Sequence, residues 1–285
     1  MADAPAPSRR PVRRPIRTQV EEVVRLTPHM VRVVLGGPEL ERFVAGEFTD
    51  HYVKLLFPPA EAPYGMDADM TAVRDEHPRA LWPRTRTYTV RAWDPDARRL
   101  TLDVVTHGDV GLAGAWAARA APGDVLQLLG PGGAYAPDPA ADWHLMVGDA
   151  CVLPAIAASL ARVPDGALVH AIVAVDGPED EQPLETPGDL RLTWLHVDVT
   201  TQEGEDRLVA AVRDLAFPDG EMQGFVHGEA TAVRAIRRHL LADRGVPRER
   251  LSISGYWRRT LDEDGWQSSK GDWNRQVEAD VPQAA

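Results

Sequence analysis

The chain changes character once, near Pro131-Gly132-Gly133 and Pro137-Asp138-Pro139, and that change limits the folds open to it. Before it, apolar alternation or β-branched runs recur at Val20–Leu26, Met30–Leu35, His51–Phe57, Arg86–Trp93, Leu100–Thr106 and Val125–Leu129. Six such runs with turn residues between them predict a small antiparallel β-barrel. After it, strands and helices alternate. Strands are expected at His144–Val147, Ala167–Val175, Leu190–Val197, Gln223–His227 and Leu251–Tyr256, and helices at Leu153–Val163, Arg207–Leu215 and Glu229–Arg244. That order predicts an α/β doubly wound parallel sheet whose ligands meet the carboxyl ends of its strands. The reading is a barrel domain over 15–138 and an α/β domain with a C-terminal tail over 139–285, each long enough to bury a core.

Ahead of the barrel lies a flexible basic arm, 1–14, with Arg9, Arg10, Arg13 and Arg14 among prolines and no apolar core of a signal peptide. The net charge of -12, from 31 basic and 43 acidic residues, argues against nucleic acid as a partner. No run approaches the length of a membrane span. A single cysteine, Cys151, excludes an internal disulfide and any all-cysteine metal cluster within the chain. The expectation is a soluble, cytoplasmic monomer. The polar stretch Pro58–Pro83 reads as a long loop, one helix is expected at Gly111–Ala121, and the tail after Arg258, with Trp266, Lys270 and Trp273, as a short amphipathic helix.

Several constellations carry chemistry. Arg86-Thr87-Tyr88-Thr89-Val90-Arg91 sets two cations around an aromatic ring on one strand, with Arg86, Tyr88 and Val90 sharing a face. A ring beside a fixed cation suits a flat anionic ligand, although the run alone also reads as an exposed strand with cross-strand pairs. His107-Gly108, followed by a helix of small residues at Ala113-Gly114-Ala115-Trp116, offers backbone amides to a pyrophosphate. Gly148-Asp149-Ala150-Cys151 ends the first parallel strand but is no G-x-G-x-x-G fingerprint, and Cys151 reads as a small pocket residue rather than a nucleophile. Glu229 reads as a charge in a first helical turn, and His227 as a strand-end histidine. Lys54 is a cation within an apolar strand, and Tyr256-Trp257-Arg258 ends the last one. The carboxylates of Gly177–Glu181 read as a solvated loop, so no metal ligand is expected.

In order, these pieces resemble the siderophore-interacting proteins, FAD-dependent ferric-siderophore reductases of the ferredoxin-reductase-like group. The matching motifs are HYVKLLFP, RTYTVR, HGDVGLAGAWA, the GD…LPAI segment, DEQPLE, HGEA and GYWRR. The resemblance implies that Arg86 grips an FAD phosphate, Tyr88 stacks on the isoalloxazine, and Thr89, next to Thr87, hydrogen-bonds near its reactive edge. Thr106, His107, Gly108, Ala113, Gly114 and Ala115 would hold the rest of the FAD, with Trp116 anchoring the helix. Lys54, Lys270 and Arg258 would form a basic rim for a ferric siderophore. Asp149, Cys151, Glu229, Tyr256 and Trp257 would face the electron donor, NAD(P)H. The acidic Glu179-Asp180-Glu181 loop favours NADH, where an NADPH reader would carry arginine; ferredoxin is the alternative donor. The chain departs from the family at Gly114, where serine is common, at Ala150-Cys151, where Glu-Thr or Glu-Ser is common, and at His227, where alanine is common. The rivals are a general flavin or ferric reductase without siderophore preference, and a non-catalytic binding protein that keeps the fold.

Overall fold

A computed structural model describes residues 14–108 and 111–280. Most of the basic arm, and Asp109-Val110 of the glycine-rich turn, lie outside the described residues.

Six strands close the N-terminal barrel: β1 (Ile16–Thr27), β2 (Met30–Gly36), β3 (Tyr52–Phe57), β4 (Arg84–Asp94), β5 (Arg99–Val105) and β6 (Val125–Gly132), in the spatial order β1-β2-β5-β4-β3-β6 with every pairing antiparallel. Alternation drives the closure. Val53, Leu55 and Phe57 of β3 point inward to meet Val33, Leu102 and Leu128, while Tyr52 and Lys54 point out. β1 begins at Ile16, four residues before the expected start, because Ile16 and Thr18 continue the inward set begun by Val20.

Two expectations within this half need correction. The Pro58–Pro83 stretch is not featureless: it carries the short helix α1 (Val73–Glu76) and a 3₁₀ turn at Arg79–Leu81, and Met70 and Val73 pack under Leu56. The helix expected over Gly111–Ala121 forms only at α2 (Ala113–Ala117). Gly114 in its middle is a poor helix former, and the chain turns at Pro122-Gly123, where Gly123 takes φ 98°.

The second domain is the expected doubly wound sheet: β7 (Trp143–Asp149), α3 (Leu153–Leu160), β8 (Leu168–Val175), β9 (Asp189–His196), α4 (Gln202–Asp214), β10 (Met222–Glu229), α5 (Ala230–Arg238) and β11 (Leu251–Trp257). The parallel order β11-β10-β7-β8-β9 reverses at β7 and β10, which creates a switch-point crevice at their carboxyl ends. α4 starts five residues early because Thr201 caps it, its side chain accepting from Gly204 N. α5 ends at Arg238 and runs into a single π turn, His239–Asp243. The tail forms α6 (Glu263–Ala279), 17 residues long rather than a short helix, capped by Asp262. Its buried Trp266, Trp273 and Val277 pack with Val233 and Ile236 of α5. At Gly255 of β11 a Cβ would stand 2.9 Å from Trp266 Cζ2, so glycine lets α6 lie close along that edge strand.

The domains are joined by apolar and polar contacts. Met30 and Tyr135 from the barrel side share one cluster with Met146, Ile156 and Phe225. Thr49 Oγ1 lies 2.8 Å from Ser159 Oγ, and Gln223 Oε1 accepts from Asp138 N at 2.7 Å. Among the described residues no helix is long and apolar enough to cross a membrane.

Candidate active site

The cleft between the domains encloses a cavity of about 1170 Å³. Its barrel wall follows from register. β3 pairs with β4 so that Lys54 stands opposite Thr87 and Tyr52 opposite Thr89, which puts these four side chains on one patch of the cavity. The tip of the Tyr52 ring lies over Gly132, where a Cβ would stand 2.3 Å from Tyr52 Cζ. Tyr88 emerges on the opposite face and packs against the barrel core, yet it borders the same cavity. Burial, with the nearby charge of Glu263, pushes its phenol above the usual range. Val90 shares that core-facing side with Tyr88, and the pairing slips only beyond it, between Val90 and Ala92.

Arg86 is turned away from the cavity wall and held by α6. Its guanidinium donates to Asp264 Oδ1 at 3.0 Å and lies 3.5 Å from Glu263 Oε2, while Arg84 donates to Asp264 Oδ2 at 2.8 Å and Thr87 N to Glu263 Oε1 at 3.1 Å. Burial raises the Glu263 carboxyl. Burial opposes ionisation of Asp264 too, but the hydrogen bonds from Arg86 and Arg84 prevail and hold it low. Glu263 carries no sequence signal beyond its place in a first helical turn, because its partners lie more than 170 residues away.

Lys54 and Lys270 face the same end of the cavity. Burial and the charge of Lys54 push the Lys270 ammonium down, with Glu263 acting the other way. Arg258 does not join them: it is exposed beyond the end of β11 and off the wall. Its neighbour Arg259 turns back, donating through Nε to Glu205 Oε1 at 2.7 Å and through its backbone N to Glu229 Oε1 at 3.2 Å.

At the switch point, Asp149 ties three strand ends together. Its carboxylate accepts from Cys151 N at 3.0 Å, Trp257 Nε1 at 2.8 Å and Glu229 N at 3.2 Å. Gly228, at φ 132°, permits this approach, since a Cβ there would stand 2.7 Å from Asp149 Oδ2. Asp149 is raised by burial, against those hydrogen bonds. The Cys151 thiol on the cavity wall is raised by burial and by Asp149, which suits an inert pocket residue. Glu229 is the N-cap of α5 rather than a first-turn residue, accepting from Thr231 N and, at 3.0 Å, from Ala232 N, and it lies off the wall. Tyr256 and Trp257 line the cavity, and burial raises the Tyr256 phenol. His227 stacks on Phe225 with ring centroids 4.0 Å apart, meets Tyr256 edge-on at 5.0 Å and pairs with Ser252 Oγ at 3.0 Å.

Of the glycine-rich segment only His107 reaches the cavity among the described residues. Thr106 is buried and donates its N–H to His29 O, and Gly108 is exposed at φ 60°. Ala113 and Ala115 are buried, and Trp116 meets Phe57 edge-on at 6.1 Å. A side chain at Gly114 would start 3.0 Å from Val105 O, so it would press on β5 rather than extend into open space.

An FAD suits these residues. The volume exceeds the roughly 300–1,000 Å³ of ordinary small-ligand pockets. The threonine hydroxyls of β4 and the Tyr88 ring match a flat, polar ring system.

Comparisons with known proteins agree with this geometry. Residues 19–135 match the model of a siderophore-interacting FAD-binding domain, and residues 141–260 that of a siderophore-interacting protein. The chain is 43% identical over 253 residues to protein Rv2895c of Mycobacterium tuberculosis, spanning 84% of this chain and 88% of that one. It is 30% identical over 254 residues to the ferric vibriobactin reductase ViuB of Vibrio cholerae, spanning 86% and 90%. The siderophore-interacting protein SipS from Aeromonas hydrophila superposes with a TM-score of 0.78 at 30% identity, covering 93% of this chain and all of that one. With its FAD-binding barrel and parallel reductase-like sheet, the chain belongs to the siderophore-interacting protein family.

Proposed function

We propose that the protein is an FAD-dependent ferric-siderophore reductase that draws electrons from NAD(P)H in the cytoplasm. The observation that carries this reading is the placement of Lys54 and Lys270 beside the Thr87–Thr89 strand on one cavity. FAD supplies two-electron acceptance and one-electron donation when bound. The chain's own residues bind and orient. Tyr88 offers a ring face, and Thr87 and Thr89 offer hydroxyls. His107 would hold the remainder of the cofactor from the cavity wall, with Thr106, Gly108 and the Ala113–Trp116 turn shaping the backbone beside it, within a domain spanning 15–138. Arg86 would hold a phosphate by giving up Asp264. Lys54 and Lys270 attract an anionic ferric chelate, a local field that matters on a chain of net charge -12. Reduction to Fe(II) weakens the hold of hard oxygen ligands, and the iron leaves.

The domain over 139–285 receives the donor, with Cys151, Tyr256 and Trp257 on the wall and Asp149 and Glu229 fixing the strand ends around them. NADH is favoured over NADPH, because Asp176, Asp180 and Asp198 line the cavity where a 2′-phosphate would meet repulsion. An anaerobic titration of the purified yellow protein with NADH, NADPH and reduced ferredoxin, followed at the flavin absorbance, tests the donor. Turnover on ferric catecholates against ferric citrate then tests siderophore preference. A protein that stays colourless after FAD reconstitution would refute the proposal.

A further inference from the structure

The turn between β1 and β2 and the loop after β8 bring three metal-type donors together from the two domains. His29 Nδ1 stands 2.7 Å from Asp180 Oδ2 and 3.7 Å from Asp176 Oδ2, and the three donor atoms all lie within 4.8 Å of one another. All three residues line the cavity. An ion pair accounts for Asp180, which is buried and also accepts from His29 N at 3.2 Å. It does not account for Asp176. This second carboxylate is held against the same imidazole, half exposed, with no other cation at ion-pair distance among the described residues. Two carboxylates on one ring nitrogen leave negative charge that a single imidazolium cannot balance.

The rest of the cavity sharpens the point, because acids gather at one end, whereas at the other two lysines stand with Glu263. Asp176, Asp180 and Asp198 stand beyond β8 and β9, while Lys54 and Lys270 stand beside β4 and α6. β8 lies three strand positions, roughly 14 Å, from β11, along which α6 packs. The acidic end suits a cation.

Donor chemistry narrows the cation. First-row divalent ions bind imidazole nitrogen and carboxylate oxygen at about 2.0–2.2 Å, which puts neighbouring donors about 3.0–3.5 Å apart. The spacings of 2.7 and 3.7 Å bracket that range, so side-chain adjustment is enough. Three protein donors on one side, with the cavity on the other, leave coordination positions for water or a departing chelate.

We propose that His29, Asp176 and Asp180 form a divalent-cation site, and that it receives the Fe(II) released at the basic end. The second half rests on the ferric-reductase reading. In that transfer Fe(II)–oxygen bonds to the chelate break, Fe(II) bonds to His29 Nδ1 and the two carboxylates form, and any proton on Nδ1 leaves to solvent. No electron moves in the step.

Equilibrium dialysis of the full-length, FAD-loaded protein against micromolar Co(II), with metal analysis, tests the site. One Co(II) per chain is expected, and Asp176→Asn and His29→Ala should each weaken binding by at least about tenfold. Asp176 is half exposed, so unchanged FAD content and thermal unfolding in Asp176→Asn would show that the loss is not misfolding. No binding to the wild-type protein, or equal binding to both variants, would overturn the site. Anaerobic reduction of a ferric catecholate by dithionite-reduced protein, followed by gel filtration, tests the cargo without the donor, near which Asp176 is placed: Fe(II) should stay on the wild-type chain and be lost from Asp176→Asn. Co(II) binding in a protein that reduces no ferric chelate would refute the iron assignment, and with it the reductase reading.

Discussion

His227 should make the protein acid-sensitive in a measurable way. Its ring is 5% exposed, sandwiched by Phe225 and Tyr256, and burial with the nearby charge of Lys270 pushes its imidazole down to about 3. In the unfolded chain the same side chain takes a proton near pH 6.5. Between those values the unfolded state binds the proton that the folded state refuses, so stability is fully present above about pH 6.5 and falls as the pH drops. The slope is about 1.4 kcal/mol per pH unit once the unfolded histidine is protonated, which amounts to roughly 2 kcal/mol less stability at pH 5 than at pH 8 from this residue. His144, also buried and held low, adds a loss of the same sign, so the comparison must be with a variant. Urea unfolding of the wild-type protein and His227→Ala at pH 8 and pH 5, followed by near-ultraviolet circular dichroism, isolates the term. The variant has a lower stability throughout because of its cavity, but it should lose about 2 kcal/mol less between the two pH values. Parallel pH dependence in the two proteins would refute the assignment of a neutral, proton-refusing His227.

Asp149→Ala strands three donors, the backbone N–H groups of Cys151 and Glu229 and the Trp257 indole, and should cost about 3–5 kcal/mol in chemical unfolding. Lys54→Ala should raise the KM for a ferric catecholate about fivefold, for about 1 kcal/mol of screened attraction, while FAD content stays unchanged; unchanged chelate kinetics would count against the basic rim. Gly132→Ala should dislodge the Tyr52 ring, read as a changed tyrosine environment in near-ultraviolet spectra, with the barrel still folded.

The barrel was legible because a closed sheet buries every inward residue, so Val53, Leu55 and Phe57 leave a period of two that needs no partner to interpret. Helix ends were less so. The Thr201 and Asp262 caps start α4 and α6, and the π turn at His239–Asp243 breaks what the spacing of Val233, Ile236 and Leu240 presents as one helix. At the candidate site, local pattern locates Lys54, Thr87, Thr89 and Lys270 but not their partners. The clamp of Arg86 on Asp264 spans 178 residues, and the meeting of His29 with Asp180 spans 151. Pairings of that range depend on how two domains dock, which no local period records. For the same reason the acidic loop reads as solvated in isolation and gains a histidine only in three dimensions.

The fastening of α6 to β4 has a kinetic meaning. Its ion pairs close the longest loops in the described chain, and closing such loops costs entropy that only nearly complete packing repays. The end of the wall that carries Glu263 is therefore expected to dock late in folding. Release of the Glu263–Asp264 end breaks four contacts, while the buried Trp266 and Trp273 keep the rest of α6 in the core of the second domain.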